Sequence, residues 1–215
     1  MSEKFYEEID SGIRTTRVVN ISAPISLPRN IFIADFVGIG KNVKIGGYVE
    51  IGKNVGIGED VGIGENVEIG GGATIADGVT IGDEVAIGEG VIIGDGVEIG
   101  DGVTIGDGVI ICKGVKIGGG AYIAYRTMIY YNMKEGTDAF RFFKLYKYPI
   151  YIYLRDTGDW IIGLGCYHRT ISEWESDFYN NNEEFPKGAP QTRAREFAYD
   201  IAKRIVNFKE SGNDL

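Results

Sequence analysis

The sequence predicts a mainly β protein, a parallel β-helix of about six coils followed by a small α+β domain. Three observations carry this. Seventeen isoleucines recur six residues apart, without a miss, from Ile33 to Ile129. The residues between successive apolar pairs are turn formers, as in Gly40-Lys41-Asn42, Gly64-Glu65-Asn66 and Gly94-Asp95-Gly96. Composition also changes abruptly: residues 31–129 hold 26 of the 33 glycines but five of the 25 aromatics, whereas eighteen aromatics follow residue 129.

Within each hexad the order Val-x-Ile, as in Val79-Thr80-Ile81, alternates inward, outward, inward, the period of a half-buried strand. Gly and Asn adopt positive φ at little cost, so each intervening triplet can turn the chain sharply. Three strands and three turns make an 18-residue triangular coil. Stacking at the inter-strand spacing gives a prism roughly 29 Å long. The phase extends upstream to Leu27 and Ile21, with Ile25 in the valine slot. Residues 1–18 are therefore read as a cap, 19–129 as the β-helix, 130–139 as a connector and 140–215 as the second domain. Units such as Ile81-Gly82-Asp83-Glu84-Val85-Ala86 resemble the hexapeptide-repeat, left-handed parallel β-helix proteins. The left hand is implied by that resemblance alone, because the general crossover rule favours the other.

Charge follows the same division. Residues 31–129 carry 14 acidic and 6 basic groups, −8 of the overall −9, while 130–215 balance 13 against 12. So acidic a prism repels phosphate backbones, which disfavours broad nucleic-acid binding by the repeats. No apolar stretch reaches membrane-spanning length, and Met1–Arg17 is polar and mixed in charge, unlike a secretory signal. Cys112 and Cys166 are isolated, as befits a reduced cytoplasm.

Outward positions form three stripes at 18-residue spacing. One reads Lys44, Gly62, Thr80, Glu98, Lys116; a second reads Phe32, Glu50, Glu68, Ala86, Thr104, Tyr122. The third, Gly38, Gly56, Thr74, Ile92, Ile110, Met128, carries no charge and grows apolar toward one end. Such a stripe suggests a protein contact. Hexapeptide-repeat proteins are commonly trimers, so Thr74, Ile92, Ile110 and Met128 are expected at a three-fold interface; packing by the chain's own second domain is the alternative. The acidic corners, Glu65, Asp83, Asp101 and Glu59, Asp77, Asp95, are read as solvated turn residues rather than a cation site. Neither metal nor cofactor is implied.

Many proteins of the resembled family are acyltransferases with a catalytic histidine and a loop breaking out of a coil. Residues 21–129 contain no histidine and no insertion, so nothing on the prism can take a proton from an attacking hydroxyl or amine. The fold licenses no activity by itself.

After the connector, Tyr151–Arg155 and Trp160–Leu164 flank Asp156-Thr157-Gly158-Asp159, a hairpin signal. Thr170-Ile171-Ser172-Glu173 is a capping-box pattern opening a helix that carries Trp174 and Phe178. Past Pro190, Phe197, Ile201, Ile205 and Phe208 recur at helical spacing, predicting a second, amphipathic helix over Thr192–Lys209. The module thus reads as a hairpin and two helices. Its segment Gly165-Cys166-Tyr167-His168-Arg169-Thr170-Ile171-Ser172-Glu173-Trp174 resembles a small module that follows hexapeptide-type repeats in tailed-phage proteins. Relatives place His directly before the Thr; here Arg169 fills that slot and His168, the chain's one histidine, lies one earlier.

Cys166 and His168, two apart on a strand, can face each other as nucleophile and base. The favoured reading is structural, with Cys166 in the core, His168 at the strand–helix junction and Trp160 and Trp174 packed inside; no catalytic residue is assigned. Arg155, Tyr167, His168 and Arg169 are the candidate set for an anionic or aromatic ligand. Together these readings imply a non-enzymatic homotrimeric phage accessory protein. Its expected partners are itself and a host macromolecule or small anionic ligand, one version being a nucleotide signal of anti-phage defence. The alternatives are an acyltransferase-like enzyme, a hydrolase using Cys166 and His168, or a virion or tail structural protein.

Overall fold

The computed structural model describes residues 14–15, 19–22, 28, 30–142, 147–179 and 183–212. The expected cap over 1–18, apart from 14–15, and the upstream positions Ile25 and Leu27 lie outside them. The chain divides into two units, Met1–Asp138 and Ala139–Leu215.

In the first unit, nineteen short strands run from β1 (Arg14–Thr15) to β19 (Met128–Ile129) among the described residues. All pair in parallel with the strand one coil away, in the expected 18-residue register: Thr74 lies beside Ile92, Thr80 beside Glu98 and Ala86 beside Thr104. The result is a parallel β-solenoid of about six turns with three sheet faces. Each strand is two or three residues long because the pattern supplies only one outward residue between two inward ones. The inward pair is buried throughout; Val91 and Ile93, for example, are 0% exposed. Backbone amides run coil to coil, as from Thr74 N to Val91 O at 2.8 Å.

Close stacking favours the glycine that follows twelve of the seventeen isoleucines; Ala34, Ala76, Cys112, Ala124 and Tyr130 follow the other five. A Cβ at Gly82 would lie 2.2 Å from Asp101 Oδ1 and 2.8 Å from backbone, so no side chain fits. Asp101 belongs there, because its carboxylate accepts the Asp83 amide at 2.9 Å; Asp77, Asp83 and Asp107 do the same for Glu59, Glu65 and Glu89. These corner aspartates are ties between coils as well as solvated turn residues.

The segment read as a connector continues the solenoid. The Met133 amide donates to Lys116 O at 2.8 Å, Met133 O accepts from Gly118, and the side chain is 2% exposed. Asn132 Oδ1 takes the Lys116 amide at 2.9 Å, where earlier coils offer a backbone carbonyl.

The second unit contains more sheet than one hairpin. Strands β20 (Ala139–Phe142), β21 (Ile150–Leu154), β22 (Trp160–Leu164) and β23 (Tyr167–Thr170) form an antiparallel meander. The second hairpin joins Leu164 to Tyr167 through only Gly165-Cys166, with Gly165 at φ +68°. This tight turn leaves Cys166 exposed, correcting its expected core position. Helices α1 (Ile171–Ser176) and α2 (Pro190–Glu210) pack on one sheet face. Ile150, Ile152, Ile162, Leu164, Trp174 and Val206 lie in their common core, with Trp160 packed against it.

The capping box forms as read: Glu173 N donates to Thr170 Oγ1 at 3.2 Å, and Thr170 N donates to Glu173 Oε2 at 2.7 Å. Helix α2 is amphipathic but turned. Its buried face is Thr192, Arg195, Ala198, Tyr199, Ala202 and Val206. Phe197 and Phe208 are 58% and 43% exposed, so the large apolar residues flank that face instead of filling it. Ala198 and Ala202 are fully buried there, beside the larger Arg195 and Tyr199, which pack on the Trp174 ring.

Candidate functional site

Alternation along β23 separates Tyr167 and Arg169 from His168, and Arg155 lies off that strand. His168 is buried, its ring stacked on Tyr151 at 5.2 Å, with Nδ1 3.4 Å from the Tyr153 hydroxyl. Gly163 makes this possible, since a Cβ there would lie 2.9 Å from His168 Cε1. Burial pushes the imidazole pKa down to about 4, against a weak opposing effect of a backbone hydrogen bond at Gly165. His168 is therefore neutral at neutral pH and enclosed by tyrosines.

Tyr167 and Arg169 point to the other face, toward the helices. The Arg169 guanidinium lies 5.5 Å from the Tyr167 ring centre and 5.3 Å from that of Trp174. Its Nη1 donates to the Asp177 backbone oxygen at 3.0 Å and reaches the Asp177 carboxylate at 3.3 Å. Arg155 lies in the first hairpin turn, its amide bonded to Asp159 O at 2.9 Å. Its charge adds to that of Arg169 in holding the Glu173 carboxyl below the usual range, behind the larger effect of the Thr170 hydrogen bonds. Only Tyr167 and Arg169 of the four thus share a surface. Cys166, exposed in the turn, and His168, enclosed in the sheet, are placed in different environments, so the nucleophile–base alternative lacks an accessible base.

Sequence reasoning missed Arg195. Its residue is 1% exposed, and its guanidinium sits 4.7 Å from the Phe185 ring centre and 5.1 Å from those of Trp174 and Phe178. Nη1 donates to Phe178 O at 3.1 Å. An arginine within a helical run reads as a surface residue, and no local spacing marks it otherwise. Here it joins the aromatic cluster between α1 and α2 by cation–π contact. The cluster lies beside a groove of about 320 Å³ between these helices.

On the repeat unit, the uncharged stripe forms one sheet. Gly38, Gly56, Thr74, Ile92, Ile110 and Met128 are successive register partners. Ile92 is 48% exposed, and the Tyr130 hydroxyl lies 2.8 Å from Met128 Sδ. Among the described residues no helix is long and apolar enough to cross a membrane.

Residues 60–94 and 90–125 match the family model described as bacterial transferase hexapeptide (six repeats). No curated protein matches the sequence. Solved structures with partial likeness include a perosamine N-acetyltransferase from Caulobacter crescentus in complex with CoA and GDP-perosamine. That pair is 16% identical over 60% of this chain and 50% of the other, with TM-score 0.31, so this chain spans half the length of that enzyme. A hexapeptide transferase family protein from Anaplasma phagocytophilum is 20% identical over 59% of this chain and 72% of its own, with TM-score 0.37. A UDP-N-acetylglucosamine acyltransferase from Francisella novicida is 19% identical over 91% and 81%, with TM-score 0.31. Repeat pattern, parallel register and family-model match together identify the repeat region as a hexapeptide-repeat parallel β-helix.

Proposed function

We propose that this chain is a non-enzymatic homotrimer in which the β-helix associates through its uncharged stripe and carries three copies of the C-terminal unit as binding modules. The observation that carries this is the stripe itself. It is the one outward column without a charge, and it places Ile92, half exposed, in register with Ile110 and Met128. Burying that column against its copies removes apolar surface from water without desolvating an ion. Three modules on one rigid body gain avidity through effective concentration.

What weighs against acyl transfer is the chain's single histidine. The repeats hold no histidine, and His168 is buried, neutral and packed between tyrosines. A phage accessory role inside the host cytoplasm, with a host protein or small ligand as partner, fits the resemblance of the C-terminal segment to tailed-phage modules. Native mass spectrometry of the protein purified from its own cells tests this reading. The expected result is a three-chain species, with or without a retained ligand. A one-chain species, or acyl-CoA retained on the repeats, would overturn it.

A further inference from the structure

We infer that the groove between α1 and α2 is a binding site for an organic cation, an alkyl- or quaternary-ammonium group. The inference goes beyond trimerisation and does not rest on it, since the groove is built within one C-terminal unit.

The groove, of about 320 Å³, is lined by the partly exposed rings of Phe178 and Tyr179, backed by the buried rings of Trp174 and Tyr199. Trp174, Phe178 and Tyr199 form a mutually packed triad, with centroids 5.5 to 6.2 Å apart. Tyr179 adds its ring edge-to-face with Phe178 at 5.4 Å. Aromatic faces attract cations through their quadrupoles, more strongly where water is partly excluded. These faces already take cations from the chain itself: Lys187 Nζ lies 5.1 Å from the Tyr179 ring centre, and Arg195 packs on Trp174 and Phe178.

Three carboxylates, Glu175, Glu196 and Asp200, complete the lining. Lys203 pairs with Glu175, and the Tyr179 hydroxyl donates to Glu196 at 2.6 Å. That donation leaves the Glu196 charge in place, and Asp200 is exposed on α2. The negative field reaches the groove floor. Tyr199, whose hydroxyl donates to Ile171 O at 3.3 Å, has its pKa raised to about 12 by burial first and then by Glu175 and Asp200. With Glu175 paired to Lys203, the carboxylates of Glu196 and Asp200 beside the rings select an ammonium over an anion, and the apolar rings favour an alkylated one over a hydrated metal ion.

Such a group reaches the site as a free small molecule or on a lysine side chain of a protein. Calorimetric titration of the full chain with tetramethylammonium, spermidine and N-acetyl-lysine-N-methylamide, against sodium chloride at matched ionic strength, separates these sources. The expected result is saturable binding of at least one probe. Asp200→Asn combined with Glu196→Gln weakens it by about tenfold, and Phe178→Leu by about fivefold. Glu68→Gln, an exposed carboxylate on the repeats, leaves it unchanged. Asp200→Asn alone, at an exposed position, guards against a folding defect in the double variant and weakens binding in the same direction. Preference for the lysine amide assigns a protein side chain; preference for the other two assigns a free cation. Absence of binding above the salt control, indifference to the groove carboxylates, or an equal loss in Glu68→Gln would overturn the inference. Sedimentation of the same samples reports trimerisation separately, so failure of one claim is distinguishable from failure of the other.

Discussion

Burial holds the His168 imidazole at a pKa of about 4, against an ordinary 6.5. Between those values the unfolded chain binds a proton that the folded chain refuses. The stabilisation is therefore complete above pH 6.5 and lost as pH falls toward 4, by about 3 kcal/mol in all. Urea midpoints of the C-terminal unit measured from pH 7 to 4 should fall accordingly, and His168→Gln should flatten that dependence. A second residue-scale prediction concerns backbone strain. Glu84 holds φ +59° at a corner where Gly102, one coil on, has +67°. Side chains there cost about 1–2 kcal/mol, so Glu84→Gly should raise stability by about 1 kcal/mol, read by chemical denaturation. Gly82→Ala should do the reverse, by about 1–3 kcal/mol, because its Cβ would meet Asp101 and backbone. At this scale the sequence was partly legible. Inward isoleucines declare themselves by period, whereas Arg195 has no local signature, because what holds it is four aromatic rings brought together only by folding.

Elements were legible where periodicity or capping chemistry defined them. The hexads fixed strand length and register, and the Thr170–Glu173 box fixed the start of α1. Thr170→Ala should cost about 1 kcal/mol, measured as a shift in the unfolding midpoint of the C-terminal unit. What failed were features set by tertiary context. The pairing of β23 with β22 was not legible, because Tyr167-His168-Arg169-Thr170 lacks an apolar alternation and its one inward residue is a histidine. Helix α2 was given the correct period but an incomplete account of its face: Phe197 and Phe208 are large and apolar, yet Ala198 and Ala202 are the residues small enough to lie against β22 and Trp174. The indole of Trp174 fixes this arrangement by donating to Ile162 O at 2.7 Å. The candidate ligand set was divided for a related reason, since neighbours on a strand face opposite ways and His168 lies between Tyr167 and Arg169.

For the whole molecule, the division near residue 130 was visible in glycine, aromatic and charge content, although the solenoid continues to Asp138 through Met133. Function was less legible, because neither unit carries a residue constellation that names a reaction. What the repeats do present is an uncharged column in fixed register, with Ile92 half exposed. Sedimentation equilibrium of the full chain, beside Ile92→Asp and a control on another face, Thr80→Asp, tests this most directly. A homotrimer gives a particle three times the 23.5 kDa chain mass for the wild type and Thr80→Asp. Ile92→Asp should yield a folded single chain, since Ile92 points out of the coil and its loss leaves the interior intact. A monomeric wild type, or a trimer indifferent to Ile92→Asp, would contradict it.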